Sequence, residues 1–428
     1  MEPTGRHRGA STAAVPVARS RFPPYRQTVR VIQARVTAAE LAAVHRAVEI
    51  AKSGAATALP NPVVGCLLLS ATGEVVGEGF HERAGGPHAE VVALAAAGSR
   101  AYGATAVLTL EPCNHVGRTP PCSEALITAG VRRVVVAVRD PWPPAAGGID
   151  RLRAAGVDAV DLTELADLAQ LADLAHLADL ADPTHPTDQP DPIDLGAATL
   201  AAATLAAVDA AEDVNRVWLT ATRHERPFVT WKAGMTIDGR VAAPDGTSRW
   251  ITSAESRADV HRLRARVDTM IVGVGTVLAD DPQLTVRDAG GTLTGPQPLR
   301  VVIDSSGRTP STARVLDDAD GTWVATADDP GADSNGRVDL TAVLRRLYRE
   351  GRRHVLLEGG PRLAAAFFDA GLVDEALVYL APTLLGAGRS ALDGGSVTTL
   401  SGRHRAELRD VTQIGPDLRL RYAILTAR

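Results

Sequence analysis

Pro87-His88-Ala89-Glu90 is followed by Glu111-Pro112-Cys113 and, with eight residues between, by Cys122. One imidazole and two thiols make three ligands of the kind that tetrahedral Zn2+ takes, with a fourth position left for water. Zinc brings the pKa of such a water down to roughly 7, so hydroxide is available at neutral pH. Glu90, two residues past His88, stands at the start of the same helix. From there it reaches the water without binding the metal and can pass a proton to a leaving amine. The chemistry expected of His88, Cys113, Cys122 and Glu90 is hydrolysis assisted by one zinc ion.

His-x-Glu with Pro-Cys and a second cysteine is the pattern of zinc-dependent nucleobase deaminases. This chain departs from it in the interval between the cysteines, which holds Asn114-His115-Val116-Gly117-Arg118-Thr119-Pro120-Pro121. A loop carrying Arg118, Thr119 and a flexible Gly117 beside a metal suits an anionic group such as a sugar phosphate. Cys66 lies inside the apolar run from Val63 to Leu69 and takes no role. His81 and His115 read either as substrate contacts or as ordinary loop side chains. A purely structural zinc site is the non-catalytic alternative; it needs a fourth protein ligand, and His115 is the near candidate.

These residues need a frame. Thr37-Ala38-Ala39-Glu40 is a capping box, and Leu41, Val44, Ala47, Val48 and Ala51 follow at helical spacing. An apolar run over 63–69, a turn at Ala71-Thr72-Gly73 and a return over 74–80 predict a hairpin. Further patterns predict helices over 90–97 and 123–129 and strands over 106–110 and 131–138. The alternation predicts a three-layer α/β/α domain with a largely parallel sheet over residues 37–160. From about Asn215 the pattern resumes: strands over 228–232, 269–274, 299–303, 354–357, 374–380 and 418–423, and helices over 254–266, 342–350 and 362–370. This second α/β domain is placed at 213–428.

No Gly-x-Gly-x-x-Gly follows a strand in the second half, so a Rossmann-type dinucleotide site is not indicated. Glu358-Gly359-Gly360-Pro361, between a strand and a helix, is the stronger signal. Glycines there let the backbone close on a pyrophosphate at a helix N-terminus, with a plain tight turn as the alternative. Arg264 and Arg287 have the planar donors to clamp a ribose phosphate.

Taken together, Asn61-Pro62-Val63-Val64-Gly65-Cys66, Gly79-Phe80-His81, His88-Ala89-Glu90-Val91 and Leu110-Glu111-Pro112-Cys113, with Gly117-Arg118-Thr119-Pro120-Pro121-Cys122, resemble one known protein family. It is the bifunctional deaminase–reductase family of riboflavin biosynthesis, and these motifs belong to its deaminase half. Lys232 to Arg240, Ser248 to Thr252, Leu263 to Asp268, Gly275 to Pro282, Leu284 to Arg287 and Glu358 to Pro361 resemble its reductase half. The resemblance implies a cytidine-deaminase-like domain followed by a dihydrofolate-reductase-like domain that uses NADPH. It implies that Asn61 lies against a pyrimidine and that Arg118 and Thr119 lie near the substrate phosphate. It places Gly234, Trp250, Thr276, Asp280, Ser305 and the turn Gly360, Pro361, Arg362, Leu363, Ala364, Ala365 and Ala366 at NADPH. Ser248, Arg264, Leu284, Arg287 and Glu358 fall to the substrate, and self-association through the reductase half is also implied.

Hydride delivery to an opened sugar needs alignment of the nicotinamide and a polar group for the proton. Lys232 and Asp280 are the catalytic candidates, the other reading being an ion pair that holds the site together. Trp250 reads otherwise as a core anchor. The reaction implied is deamination of 2,5-diamino-6-ribosylamino-4(3H)-pyrimidinone 5′-phosphate, then reduction of the ribosyl chain to ribityl. The alternative is a zinc deaminase of another nucleobase with a degenerate, non-reducing C-terminal domain. Gly234, where the family usually has Ala, and the shortened segment Ala146-Gly147-Gly148 are departures.

Between the two halves, leucines at 162, 165, 168, 171, 174, 177 and 180 keep a strict period of three. Each step turns 300° on a helix, so the leucines drift round it and build no fixed face. Pro183, Pro186, Pro190 and Pro192 follow, and residues 161–212 read as a linker with marginal helix. Residues 1–36 carry seven arginines and one acid without a helical stripe, which reads as a disordered basic leader, a transit peptide being the other option.

The 428 residues suit two or three domains. With 45 basic and 50 acidic residues the net charge is −5, which gives no basic field for nucleic acid or an anionic membrane. No apolar run approaches the roughly 20 residues of a membrane span. Three cysteines cannot build a disulfide framework and point to a reducing, cytoplasmic compartment.

Overall fold

The computed structural model describes residues 31–116, 120–170, 195–288, 290–317 and 321–425. Thr37 opens helix α1 (Ala38–Ala51) with the expected capping box: its hydroxyl accepts the Glu40 N–H at 3.2 Å, and the Glu40 carboxylate accepts the Thr37 N–H at 2.8 Å. Strands β1 (Gly65–Leu69) and β2 (Val75–Phe80) form the hairpin. Helix α2 (Ala89–Ala97), β3 (Thr105–Leu108), α3 (Cys122–Thr128), β4 (Arg133–Val136), α4 (Gly148–Ala154) and β5 (Asp158–Asp161) follow.

Side chains alternate across this sheet and so make two cores. Leu67, Leu69, Val107 and Val135 face α1, whereas Cys66, Leu68, Ala106, Leu108, Val134 and Val136 face α2, α3 and α4. That is the expected three-layer arrangement. The sheet, ordered β2-β1-β3-β4-β5, is however mixed rather than largely parallel. The tight turn returns β2 antiparallel to β1, and β1 runs antiparallel to β3; only β3, β4 and β5 are parallel, each joined by a helical crossover.

Both segments set aside at the domain edges contribute to this core where they are described. Residues 31–35 are helical, and Ile32 and Val36 are buried, so the leader reading does not extend through 36; residues 1–30 lie outside the described residues. Residues 162–170 are helical, with Leu162, Leu165, Ala166 and Ala169 buried. Those four stand at i, i+3, i+4 and i+7, a stripe that the alanines complete and the leucine period alone conceals. Residues 171–194 lie outside the described residues, but Leu195–His224 is a helix, α5, packed on α1.

In the second half eight strands lie in the order β10-β9-β8-β11-β6-β12-β15-β14. These are β6 (Phe228–Thr236), β8 (Thr269–Gly273), β9 (Leu299–Ile303), β10 (Thr322–Ala325), β11 (His354–Leu357), β12 (Glu375–Ala381), β14 (Arg405–Ile414) and β15 (Asp417–Leu425). The first six in that spatial order are parallel, and β15 and β14 close the sheet antiparallel. β7 (Arg240–Ala242) and β13 (Arg389–Ser390) form a separate ribbon. Helices α8 (Leu340–Arg349) and α9 (Pro361–Asp369) cover one face, while α6 (Ala254–Arg264) and α7 (Val274–Asp280) pack on the other. β14 escapes the sequence reading because it is an exposed edge strand with no buried alternation to betray it.

Candidate active sites

The N-terminal site is assembled where three chain segments meet. His88 caps α2, Cys122 begins α3, and Cys113 lies on the segment leaving β3. Gly79 in β2 lets α2 approach, since a Cβ there would stand 2.5 Å from the Ala89 carbonyl oxygen. His88 Nδ1 lies 3.6 Å from Cys113 Sγ and 3.3 Å from Cys122 Sγ. Zinc bonds of about 2.0 Å to nitrogen and 2.3 Å to sulfur, at tetrahedral angles, separate N and S by about 3.6 Å. The three residues therefore fit the ion. Among the described residues they form the one such cluster, and it does not include His115. A four-ligand structural site is not what this geometry makes. His115 instead packs edge-on against Trp142, with ring centres 5.6 Å apart.

Electrostatics in the cluster follow from its closeness. The Cys122 thiol, the His88 ring and the Cys122 N–H all point at Cys113 Sγ and pull its pKa well below the usual thiol value. Hydrogen bonding to that sulfur raises His88 in turn. Glu90 is 3% exposed, and burial pushes its carboxyl up to about 7. Cys66 is buried within β1, where burial raises its thiol.

Around the cluster lies a cavity of about 240 Å³, walled by Asn61, His81, Glu90, Asp140, Trp142 and Trp218. His81 Nδ1 is 3.0 Å from the Pro87 carbonyl, which can only accept, so its Nε2 accepts from Asn61 Nδ2 at 3.1 Å. Burial keeps that ring neutral by lowering its pKa. His81 thus orients Asn61. Glu111 holds the opposite wall: its carboxylate accepts the N–H groups of Asp140, Gly147 and Ile149 at 3.0 to 3.1 Å. Gly148 is required there, because a Cβ would meet the Pro112 carbonyl oxygen at 1.9 Å. Burial raises Asp140 to about 6. Arg118 and Thr119 lie outside the described residues.

A second cavity, of about 410 Å³, is lined by Lys232, Gly234, Ser248, Trp250, His261 and Arg264. Trp250 is 68% exposed, stacked under the Arg257 guanidinium at 4.4 Å, and so is no core anchor. Arg264 donates to both oxygens of Glu358 at 2.9 and 2.8 Å, and Lys232 Nζ stands 3.5 Å from the same carboxylate. Against its burial, these two cations hold Glu358 well below the usual carboxylate range. Lys232 and Asp280 do not pair with each other; Asp280 binds Arg249 at 3.4 Å. Arg287 spends its guanidinium on Thr285, Gly291 and Gln283 of its own loop, and Leu284 packs into the core.

The C-terminal ends of β8, β9 and β11 are neighbours in the sheet. Two helices start there, α7 after Gly273 and α9 after Gly360, neither capped by a side chain. The space above Gly360 is open as far as Thr276 Oγ1, 3.8 Å from where a Cβ would lie. Uncapped amides facing open space at a strand-to-helix turn suit a dinucleotide's phosphates. Ser305 follows β9, with its hydroxyl accepting the Val338 N–H at 3.0 Å. In α9, Leu363 packs over Gly273, Ala364 and Ala365 are buried and Arg362 points to solvent.

Comparison with known proteins agrees with this geometry. The family model described as "Cytidine and deoxycytidylate deaminase zinc-binding region" matches residues 38–138, and "RibD C-terminal domain" matches 227–420. The riboflavin biosynthesis protein RibD of Mycobacterium tuberculosis is 42% identical over 364 residues, covering 85% of this chain and 91% of that protein. The chain belongs to the RibD family.

RibD of Escherichia coli is 37% identical over 401 residues, covering 87% of this chain and 96% of that protein. Among solved structures, Acinetobacter baumannii RibD superposes with a TM-score of 0.69 at 34% identity, over 94% of this chain and all of that one. A Thermotoga maritima protein described as a diaminohydroxyphosphoribosylaminopyrimidine deaminase/5-amino-6-(5-phosphoribosylamino)uracil reductase gives 0.68 at 27% identity, covering 90% and 99%. As a RibD-family chain with both domains, this is a bifunctional deaminase and reductase of riboflavin biosynthesis, using zinc in the first domain and NADPH in the second. A reductase match across 227–420 disfavours the reading of that domain as degenerate. Sequence reasoning missed Asp140, Trp142, Trp218 and His261, the cavity residues that lie outside any motif with chemical spacing.

Proposed function

We propose that the first domain hydrolytically deaminates 2,5-diamino-6-ribosylamino-4(3H)-pyrimidinone 5′-phosphate, and that the second reduces the product's ribosyl chain to ribityl with NADPH. The observation that carries the first step is the buried carboxyl of Glu90 opening onto the same cavity as the His88-Cys113-Cys122 cluster and Asn61. His88, Cys113 and Cys122 hold the zinc, which when bound supplies an activated water. Glu90 takes the proton from the attacking side and returns it to the departing ammonia, a role suited to a group poised near neutrality. Asn61, oriented by His81, faces the pyrimidine, and Arg118 and Thr119 are assigned to the phosphate on their residue types alone.

In the second domain NADPH, when bound, supplies the hydride. The turn from Gly360 to Ala366 with Thr276 and Ser305 would hold its phosphates, and Gly234, Trp250 and Asp280 would complete its site. Ser248, Arg264, Leu284, Arg287 and Glu358 form the substrate side, and Lys232 delivers the proton. The domains centre on 37–160 and 213–428, with residues 31–36, 162–170 and much of helix α5 packed into the first core. The chain works in the cytoplasm and self-associates through the reductase half; the self-association is supported by β14, the terminal strand of the sheet, whose Leu408 and Val411 are exposed. Among the described residues no helix is long and apolar enough to cross a membrane.

The test is to give the purified zinc-loaded protein the diamino substrate and follow ammonia release and NADPH oxidation together. Ammonia should appear first and NADPH loss should follow in equal amount. Ammonia from cytosine or guanine compounds, with no NADPH loss, would overturn the assignment.

A further inference from the structure

Helix α5 lies outside both family-matched spans, yet it contributes to the deaminase cavity. Asn215, 1% exposed, accepts the Val63 N–H on its side-chain oxygen at 2.7 Å and so fixes the segment that begins at Asn61. Trp218, three residues along, forms part of the cavity wall together with Asn61, His88 and Glu90. The neighbouring positions of the same helix bind the other domain. Arg216 Nε donates to Glu375 of β12 at 3.0 Å, and Asp213 accepts from Arg421 of β15 at 2.9 Å. At 100° per residue, the pair 215/218 and the pair 213/216 point about 160° apart. One face of α5 shapes the deaminase cavity and the opposite face is bolted to the reductase sheet.

We propose that Trp218 is a positioning residue for the deaminase substrate, and that its placement depends on the ion pairs Arg216–Glu375 and Asp213–Arg421, so that docking of the reductase domain sets substrate affinity at the deaminase site. A large ring at the cavity wall limits how the flat pyrimidine seats, at little entropic cost to the protein. Neither ion pair includes a residue that lines the reductase cavity, so reductase kinetics serve as the control when the pairs are loosened. This rests on the reading of that cavity as the deaminase site.

The experiment uses the full chain with zinc. Deaminase kcat and KM are measured with the diamino substrate, and reductase kinetics separately with its deaminated product and NADPH. Trp218→Ala should raise deaminase KM at least ten-fold with kcat changed less than three-fold, and Trp218→Phe should restore most of the affinity. Arg216→Gln combined with Asp213→Asn should raise deaminase KM three-fold or more, with zinc content and reductase kinetics unchanged. An unchanged deaminase KM in the double variant overturns the proposal, as does a parallel loss of both activities, which marks a general folding defect. Should Trp218→Ala fail to fold, Trp218→Phe and the double variant decide alone. Glu90→Gln separates the two levels: if it abolishes deamination while the α5 variants are neutral, the deaminase reading stands and this proposal falls.

Discussion

Arg264 and Glu358, 94 residues apart in sequence, meet in a two-pronged ion pair beside the reductase cavity. The carboxylate follows β11, and the guanidinium ends α6, on the opposite face of the sheet from α9. With Lys232 also at that carboxylate, the cluster carries two cations to one anion, a surplus positive charge suited to a phosphate-bearing substrate. Glu358→Gln keeps the shape and removes the counter-charge. Losing one partner of a largely buried pair costs about 3 kcal/mol. Reductase kcat/KM should fall at least about ten-fold while ammonia release is unchanged, as stopped assays of the two half-reactions would report.

Glu90 stands outside the three-atom cluster, as the role proposed for its carboxyl requires. Glu90→Gln should therefore leave about one zinc per chain and lower deamination by about 10² to 10⁴-fold. Elemental analysis and ammonia assay on the same sample check both halves. Loss of metal from this variant would mean that Glu90 is a ligand.

The three cysteines divide cleanly by position. Cys113 and Cys122 face His88, whereas Cys66 is sealed between the sheet and α2 with only a weak contact to the Leu67 carbonyl. Cys113→Ser or Cys122→Ser should empty the site and stop deamination, and Cys66→Ala should keep full zinc. NADPH oxidation with the deaminated product should persist in all three variants, because the cluster lies in the first domain.

The His88-Cys113-Cys122 cluster was legible because its members come in short motifs with metal-ligand spacing. Helix α1 was legible from Thr37 and Glu40, whose capping box is a local interaction. The walls of the cavities were not. Trp218 comes from helix α5, most of which fell within the 161–212 linker reading, and Asp140 and Trp142 lie on a loop held by Glu111 through backbone bonds that leave no sequence pattern. The pairing of Arg264 with Glu358 was likewise hidden, because the two lie 94 residues apart in sequence and their mutual contact is purely tertiary.

His354 makes the reductase domain acid-sensitive in a window that can be stated. It lies on β11, with its Nε2 2.9 Å from the Thr230 hydroxyl of β6 and its ring edge-on to Phe228. Burial pulls its pKa down to about 4, with Arg216 adding to the shift and the Glu375 carboxylate opposing it. In the unfolded chain a histidine titrates near 6.5. Above pH 6.5 both states are neutral there and the folded state keeps its full stability. As the pH falls, the unfolded chain takes up a proton that the folded chain refuses, so stability is lost progressively down to about pH 4, about 3 kcal/mol in total. His354→Gln removes this proton uptake while keeping a polar partner for Thr230. Urea unfolding of the full chain at pH 7 and at pH 4.5 should show the parent losing about 2 to 3 kcal/mol more than the variant. Equal losses would mean that His354 is charged in the folded state, and that its cavity admits water.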